Sequence, residues 1–122
     1  MTIPDINLLV YAYNTGAPNH VFARQWWEGL CQRREPIGLP WVVTCGFVRV
    51  MTHLNIMTNP MKPDTALACV RSWLERSHIQ SLDPGPRHVE ILTHLLDSVG
   101  VAGNLTSDAH LAAIAIEYTL PR

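Results

Sequence analysis

The feature that most constrains the fold is an alternation of short strand-like segments with longer helix-like segments. Residues 2–5, 36–40 and 79–82 are apolar enough and short enough for strands, and proline, glycine or asparagine punctuates the chain between elements. Strands that alternate with helices of about ten to fifteen residues are typical of α/β folds with a parallel sheet. We therefore predict an α/β fold with a short parallel sheet flanked by helices, in a single domain over residues 1–122.

Hydrophobic periodicity predicts six helices. They are expected over residues 6–13, 20–34, 42–53, 87–98 and 106–118, with the fourth of the six helices starting at residue 64 or 65. The fourth helix should bury Leu67, Val70 and Leu74, with Trp73 beside them. In the fifth helix the predicted apolar stripe is Val89, Leu92, Leu95, Leu96 and Val99. The four tryptophans are interpreted as core or interface residues.

Composition excludes several classes of protein. Nine basic and ten acidic residues give a net charge of −1, so nucleic-acid binding would need a local patch or a metal. No apolar run reaches the roughly 18 residues that span a bilayer, and the first residues lack the basic segment of a signal peptide. Three cysteines without CxxC spacing predict reduced thiols, so we expect a cytoplasmic protein that does not bind membranes.

Asp5 lies at the carboxyl end of the first predicted strand, which is where ligands bind in parallel sheets. An aspartate at this position is also an ordinary N-cap for the helix that follows, and capping needs no function. The alternative is a carboxylate that, with the neighbouring Asn7, offers oxygen ligands to a cation such as Mg²⁺.

Asp108 lies in the first turn of the last predicted helix, after a polar loop that contains Asn104 and Thr106. An acid there is favoured by the helix dipole, and the polar oxygens before it also suit metal or phosphate binding. His110 is two residues further on and does not share a helix face with Asp108, so we interpret it as structural. His88 and His94 do not have the spacing of a zinc site.

Basic residues form one short run, Arg33-Arg34, and Arg49 follows in the third predicted helix. These side chains could contact RNA phosphates, whereas a solvated face is the ordinary explanation for short charged runs.

Four segments, taken in order, resemble one family. They are 5–12 (DINLLVYA), 38–50 (GLPWVVTCGFVRV), 85–88 (GPRH) and 103–113 (GNLTSDAHLAA). Together they resemble the PIN domain, and specifically the VapC-type ribonuclease toxins of bacterial type II toxin–antitoxin modules, over all 122 residues.

The resemblance implies a three-layer PIN-like fold and Mg²⁺- or Mn²⁺-dependent hydrolysis of RNA phosphodiester bonds, with neutralisation by a cognate VapB-like antitoxin. In this family acidic side chains from distant segments meet at the carboxyl end of the sheet. Asp5 and Asp108 would be the catalytic metal ligands, and Asn7, Asn104 and Thr106 would support them.

Two departures from the family pattern bear on activity. Gly46 stands where the family often has a glutamate, and no acid follows Glu117. We therefore expect missing or rudimentary last strands, a truncated C-terminus and one metal rather than two. An impaired PIN module that binds antitoxin without cleaving RNA is the alternative function, and a metal-free domain whose acids only cap helices is a third. The open strand edge predicts a homodimer or a toxin–antitoxin hetero-oligomer.

Overall fold

The computed structural model describes residues 1–99 and 103–119, apart from the side chains of Val99 and Asn104. The chain divides into two compact units, Met1–Ser81 and Leu82–Arg122, which we describe separately. In chain order the elements are α1 (Ile6–Tyr13), α2 (His20–Gln32), β1 (Ile37–Pro40), α3 (Trp41–Met51), α4 (Pro63–Leu74), β2 (Ile79–Leu82), α5 (His88–Val99), a 3₁₀ turn (Gly103–Leu105) and α6 (Thr106–Thr119).

The strand β1 is the centre of the parallel sheet, and all four of its residues are buried. On one side, the Ile37 N–H donates to the carbonyl oxygen of His78 at 2.9 Å, at the entrance to β2. On the other side, the Gly38 N–H donates to the carbonyl oxygen of Thr2 at 2.8 Å. Because neighbouring residues of a strand direct their N–H groups to opposite edges, β1 lies between the N-terminal segment and β2.

The prediction of a strand over residues 2–5 is wrong. Pairing there is limited to an isolated parallel bridge between Thr2 and Ile37. The next hydrogen bond of such a ladder would come from the N–H two residues after Thr2, where the chain has Pro4. Proline has no N–H, so the ladder stops after one bridge.

The core of the first unit is an aromatic cluster of Tyr13, Trp27, Phe47 and Trp73. The rings of Phe47 and Trp73 meet edge to face with centroids 4.8 Å apart, and those of Trp27 and Trp73 meet at 5.5 Å. The Trp73 indole N–H donates to the Tyr13 hydroxyl at 2.8 Å. Burial of the Tyr13 hydroxyl raises its pKa above the usual value. The interpretation of Trp27 and Trp73 as core residues is confirmed.

Trp73 also explains an error about α4. The buried residues of α4 are Ala66, Val70 and Trp73, whereas Leu67 is 51% exposed and Leu74 is half-buried. The predicted face was centred on the leucines, but the largest side chain decides which face turns inward because it removes the most apolar surface from water.

In the second unit, α5 packs against α6. The predicted stripe of α5 is rotated in a similar way. Among the side chains of α5 that the structure describes, those of His88 and Ile91 are buried, and Val89 is 74% exposed. The predicted Leu92, Leu95 and Leu96 are half-buried, and the side chain of Val99 lies outside the described part.

The three cysteines are free thiols in the structure, with Cys31 buried, Cys69 half-buried and Cys45 exposed. Burial raises the pKa of the Cys31 and Cys69 thiols. Both therefore stay protonated near neutral pH, as expected of inert core thiols. Within the described residues, no helix is long and apolar enough to cross a membrane.

Candidate active site

Asp5 is the last residue before α1 and lies at the carboxyl end of the sheet. Its backbone is extended, with φ −78° and ψ 148°, and its carbonyl oxygen accepts a hydrogen bond from the Leu9 N–H at 3.3 Å. The carboxylate makes no capping hydrogen bond to α1, and the residue is exposed. The N-cap interpretation of the Asp5 side chain is therefore wrong, and its oxygens face solvent.

Asn7 occupies the second position of α1 and is also exposed. Within the described residues its side-chain amide makes no hydrogen bond that would fix it to the fold. Asp5 and Asn7 therefore offer three side-chain oxygens at the start of α1, on the surface of the first unit.

Asp108 lies in the first turn of α6, in the second unit, and is exposed. It lines a shallow cleft of about 270 Å³ whose other wall is formed by Leu95, Leu96 and Ser98 of α5. Thr106, the first residue of α6, is exposed as well, whereas the side chain of Asn104 lies outside the described residues. The turn before α6 depends on Gly103, whose φ of +41° is a conformation that favours glycine.

Sequence reasoning missed a histidine pair in the second unit. The Nε2 atom of His88, at the start of α5, lies 2.9 Å from the Nδ1 atom of His110 on α6, so one ring donates to the other. The rings meet edge to face with centroids 4.7 Å apart. Burial, and secondarily His88, lowers the pKa of His110. This contact supports the structural interpretation of His110. Sequence spacing could be used to judge only the neighbours of His110, whereas its partner His88 is 22 residues away.

Glu117, the last acid of the chain, has a structural partner. Its Oε1 accepts a hydrogen bond from the Gly85 N–H at 2.9 Å, and its Oε2 accepts one from the Arg87 N–H at 3.0 Å. The carboxylate therefore holds the segment before α5 against α6. This role could not be read from the sequence, because the two elements are about 30 residues apart.

In the first unit, Asp5 and Asn7 offer carboxylate and amide oxygens, and in the second unit Asp108 and Thr106 offer carboxylate and hydroxyl oxygens. Mg²⁺ prefers oxygen ligands, and it is often bound through one or two carboxylates while it keeps several waters. The donor chemistry therefore fits this cation. Within residues 1–99 and 103–119, no group of three or more His, Cys, Asp or Glu side chains is arranged to hold a metal.

Comparison with known proteins identifies the family. The profile of the PIN domain matches residues 2–122. The chain belongs to the PIN-domain family. The protein named Ribonuclease VapC33 of Mycobacterium tuberculosis is 43% identical over 118 residues, which cover 97% of this chain and 82% of that protein. Ribonuclease VapC43 of the same species is 38% identical over 117 residues, which cover 96% of this chain and 80% of that protein.

A third relative, Ribonuclease VapC37 of M. tuberculosis, is 36% identical over 118 residues, covering 97% of this chain and 82% of the relative. This PIN domain is therefore of the VapC type, as the four sequence segments indicated. The six helices and the short parallel sheet found among the described residues confirm the predicted PIN-like α/β class.

The structure of this PIN domain also shows what occupies the space beside Gly46. A Cβ atom built on Gly46 of α3 would lie 2.5 Å from the Cδ1 atom of Ile6, the first residue of α1. The Ile6 side chain therefore fills the space that any side chain at position 46 would enter. A glutamate there would require Ile6 to move.

Proposed function

We propose that this PIN-domain protein is a Mg²⁺-dependent endoribonuclease toxin of a type II toxin–antitoxin module, with Mn²⁺ as a substitute, and that a cognate VapB-like antitoxin neutralises it. Membership of the VapC group supports hydrolysis of RNA. The observation that carries the metal assignment is the Asp5 carboxylate, which is exposed at the carboxyl end of the sheet and does not cap α1.

Each proposed residue has a defined task. The carboxylates of Asp5 and Asp108 hold the cation, and the Asn7 amide and the Thr106 hydroxyl orient those carboxylates or waters beside them. Asn104 is given a supporting role by the family resemblance alone. When bound, the cation supplies positive charge at the scissile phosphate and activates water for in-line attack.

The test replaces each proposed ligand by its amide. Asp5→Asn and Asp108→Asn should each lower RNA cleavage about 1000-fold, because several kcal/mol of transition-state stabilisation depend on the metal. The measurement is the rate of cleavage of a labelled RNA with and without Mg²⁺.

Asp64→Asn is the matched control, since Asp64 is an exposed acid in the first turn of α4. Its Oδ1 accepts a hydrogen bond from the Thr65 N–H at 2.8 Å, and an asparagine oxygen can accept the same bond. This variant should cleave RNA at the unmodified rate. Cleavage at the unmodified rate by both Asp5→Asn and Asp108→Asn would reject the proposed site.

A second function is favoured by the lack, among the described residues, of a cluster of three metal-binding side chains. It is a PIN module that binds antitoxin without cleaving RNA. Titration calorimetry with Mn²⁺ separates the two functions. Binding that is lost in Asp5→Asn supports the nuclease, whereas the absence of binding by the unmodified protein supports the module.

The proposed assembly is a homodimer or a hetero-oligomer with antitoxin. The sheet of the first unit supports this, because within the described residues β2 and the Thr2 segment each pair on one side only. Unpaired strand edges favour pairing with another chain. Light scattering of the protein alone and with its antitoxin measures the assembly directly.

A further inference from the structure

A basic cleft of about 370 Å³ lies in the first unit at the amino end of the sheet. It is formed where α2 ends and where the chain enters β2. Its lining includes Arg33, Arg34, Arg76, Ser77 and His78, and no aspartate or glutamate contributes to it. The cleft therefore combines three guanidinium groups with smaller polar donors and has no carboxylate in its wall.

Two of these side chains are held in place by the end of α2. The Arg76 Nη1 donates to the carbonyl oxygen of Cys31 at 3.0 Å, and the His78 Nε2 donates to the carbonyl oxygen of Leu30 at 3.2 Å. These bonds satisfy carbonyls that a helix end leaves unpaired, and cations are favoured there by the helix dipole. A guanidinium has five N–H donors, so Arg76 is fixed and still has donors for a ligand.

The charges of the cleft are not neutralised by ion pairs. Within residues 1–99 and 103–119, the salt bridges are Arg24–Glu28 and Arg87–Glu90. Arg33, Arg34 and Arg76 therefore have no carboxylate within ion-pairing distance in the part of the chain that the structure describes. Glu35 and Glu75 are neighbours in sequence but do not line the cleft.

The cleft and Asp5 lie at opposite ends of the sheet. Thr2 pairs in parallel with Ile37, so Asp5 is level with Pro40 at the carboxyl end of β1, whereas Arg34 precedes Ile37. The three steps of β1 from Ile37 to Pro40 correspond to roughly 10 Å. A molecule that reached both sites would therefore have to be extended.

We propose that this cleft binds backbone phosphates of RNA, as a second contact region apart from the cleavage site. This inference rests on the proposed ribonuclease function. Arginine presents a planar fork of donors that matches phosphate oxygens, and such contacts are independent of base sequence. The described lining has no aromatic anchor of the kind that protein partners use, which favours RNA over an acidic peptide.

The experiment compares two double variants that remove the same charge. Arg33→Ala/Arg34→Ala removes two of the three arginines of the cleft and leaves Arg76, which bonds to the end of α2. Arg24→Ala/Arg87→Ala removes two exposed arginines that each pair with a glutamate, and it is the matched control. Binding of labelled single-stranded RNAs of two unrelated sequences is measured by filter binding, in EDTA to prevent cleavage and over a range of salt concentrations.

For single-stranded nucleic acid, each lost phosphate contact reduces the steepness of log affinity against log salt by about 0.7. The cleft variant loses two arginines, so its slope should be shallower by about 1.4 than that of the unmodified protein. Equivalently, between about 50 and about 200 mM salt the unmodified protein should lose about sevenfold more affinity than the variant. The effect should be the same for both RNA sequences. Arg33→Lys/Arg34→Lys, which keeps the charge, should restore most of the slope.

An unchanged salt slope in the cleft variant, an equal effect of the control variant, or no RNA binding by the unmodified protein would overturn the inference. So would arginine-dependent binding of polyglutamate in place of RNA. Cleavage assays keep the two proposals apart. Asp5-dependent cleavage with an unchanged salt slope rejects the cleft alone, whereas an arginine-dependent slope with Asp5-independent cleavage supports the cleft and rejects the proposed catalytic site.

Discussion

Asp5 lies just before α1 and Glu117 lies beside the segment between β2 and α5, but the fold treats these two acids in opposite ways. Both oxygens of Glu117 accept hydrogen bonds from backbone N–H groups, at 2.9 and 3.0 Å, whereas the Asp5 carboxylate makes no capping bond and is exposed. A carboxylate whose acceptors are already used stabilises its surroundings. A carboxylate that the fold leaves unpaired is available to a cation or a substrate, and this difference separates the structural acid from the candidate ligand.

The largest expected effect on stability comes from Glu117. Hydrogen bonds to a charged group contribute about 1.5–3 kcal/mol each, and those of Glu117 are partly exposed, so Glu117→Ala should lower the free energy of unfolding by about 2 kcal/mol. Asp5→Ala, the matched variant, should change it by less than about 0.5 kcal/mol. Urea denaturation followed by far-UV circular dichroism measures both. Equal losses of stability in the two variants would contradict the comparison.

A smaller effect is expected at Gly85, which tests how firmly Glu117 is held. A Cβ atom on Gly85 would come within 2.6 Å of the Glu117 Cδ atom, and the carboxylate cannot withdraw without losing its hydrogen bonds. Gly85→Ala should therefore cost about 1 kcal/mol. In the Glu117→Ala background the same substitution should cost almost nothing, and a double-mutant cycle measures the coupling. A cost that is the same in both backgrounds would show that the carboxylate is not the obstacle.

The smallest expected effect is the contribution of His110, in the second unit, to the pH dependence of the protein's stability. Burial, and secondarily His88, lowers the pKa of His110, so as pH falls the unfolded chain binds a proton before the folded chain does. This contribution is present above the unfolded pKa of about 6.5 and is lost as pH falls through the lower folded pKa. In thermal unfolding measured without metal, acidification should lower the Tm of His110→Asn by less than it lowers the Tm of the unmodified protein.

His94→Asn is the control for that measurement, because His94 is exposed on α5. It should keep the acid-side loss of Tm of the unmodified protein. If His110→Asn and His94→Asn gave the same pH profile, the pH dependence of stability would not come from the pair of His88 and His110.

The sequence predicted the helices well because their signal is local. α1 was predicted with its observed bounds, and β2 over residues 79–82 was also correct. The predictions that were wrong concern features that are set by residues distant in the sequence. The strand at residues 2–5 fails because Pro4 cannot donate to the neighbouring strand, and the face of α4 is set by Trp73 packing against aromatic rings from other helices.

The candidate site was predictable only in part. Sequence pattern and family resemblance made Asp5 and Asp108 candidates. No sequence argument could decide whether Asp5 caps α1, because a capping acid and a ligand acid occupy the same position. The missing side-chain capping bond decides it, because the extended backbone of Asp5 is itself ordinary for an N-cap residue. The pairing of His88 with His110 and the anchoring of Glu117 required knowledge of how α5 and α6 pack.

The aromatic cluster of the first unit has a practical consequence. All four tryptophans lie between residues 26 and 73, and residues 82–122 contain none. The intrinsic tryptophan fluorescence therefore reports on the first unit alone, with Trp27 and Trp73 shielded from water, whereas circular dichroism reports on the helices of both units. Unfolding transitions that coincide by the two methods would show that the units unfold together.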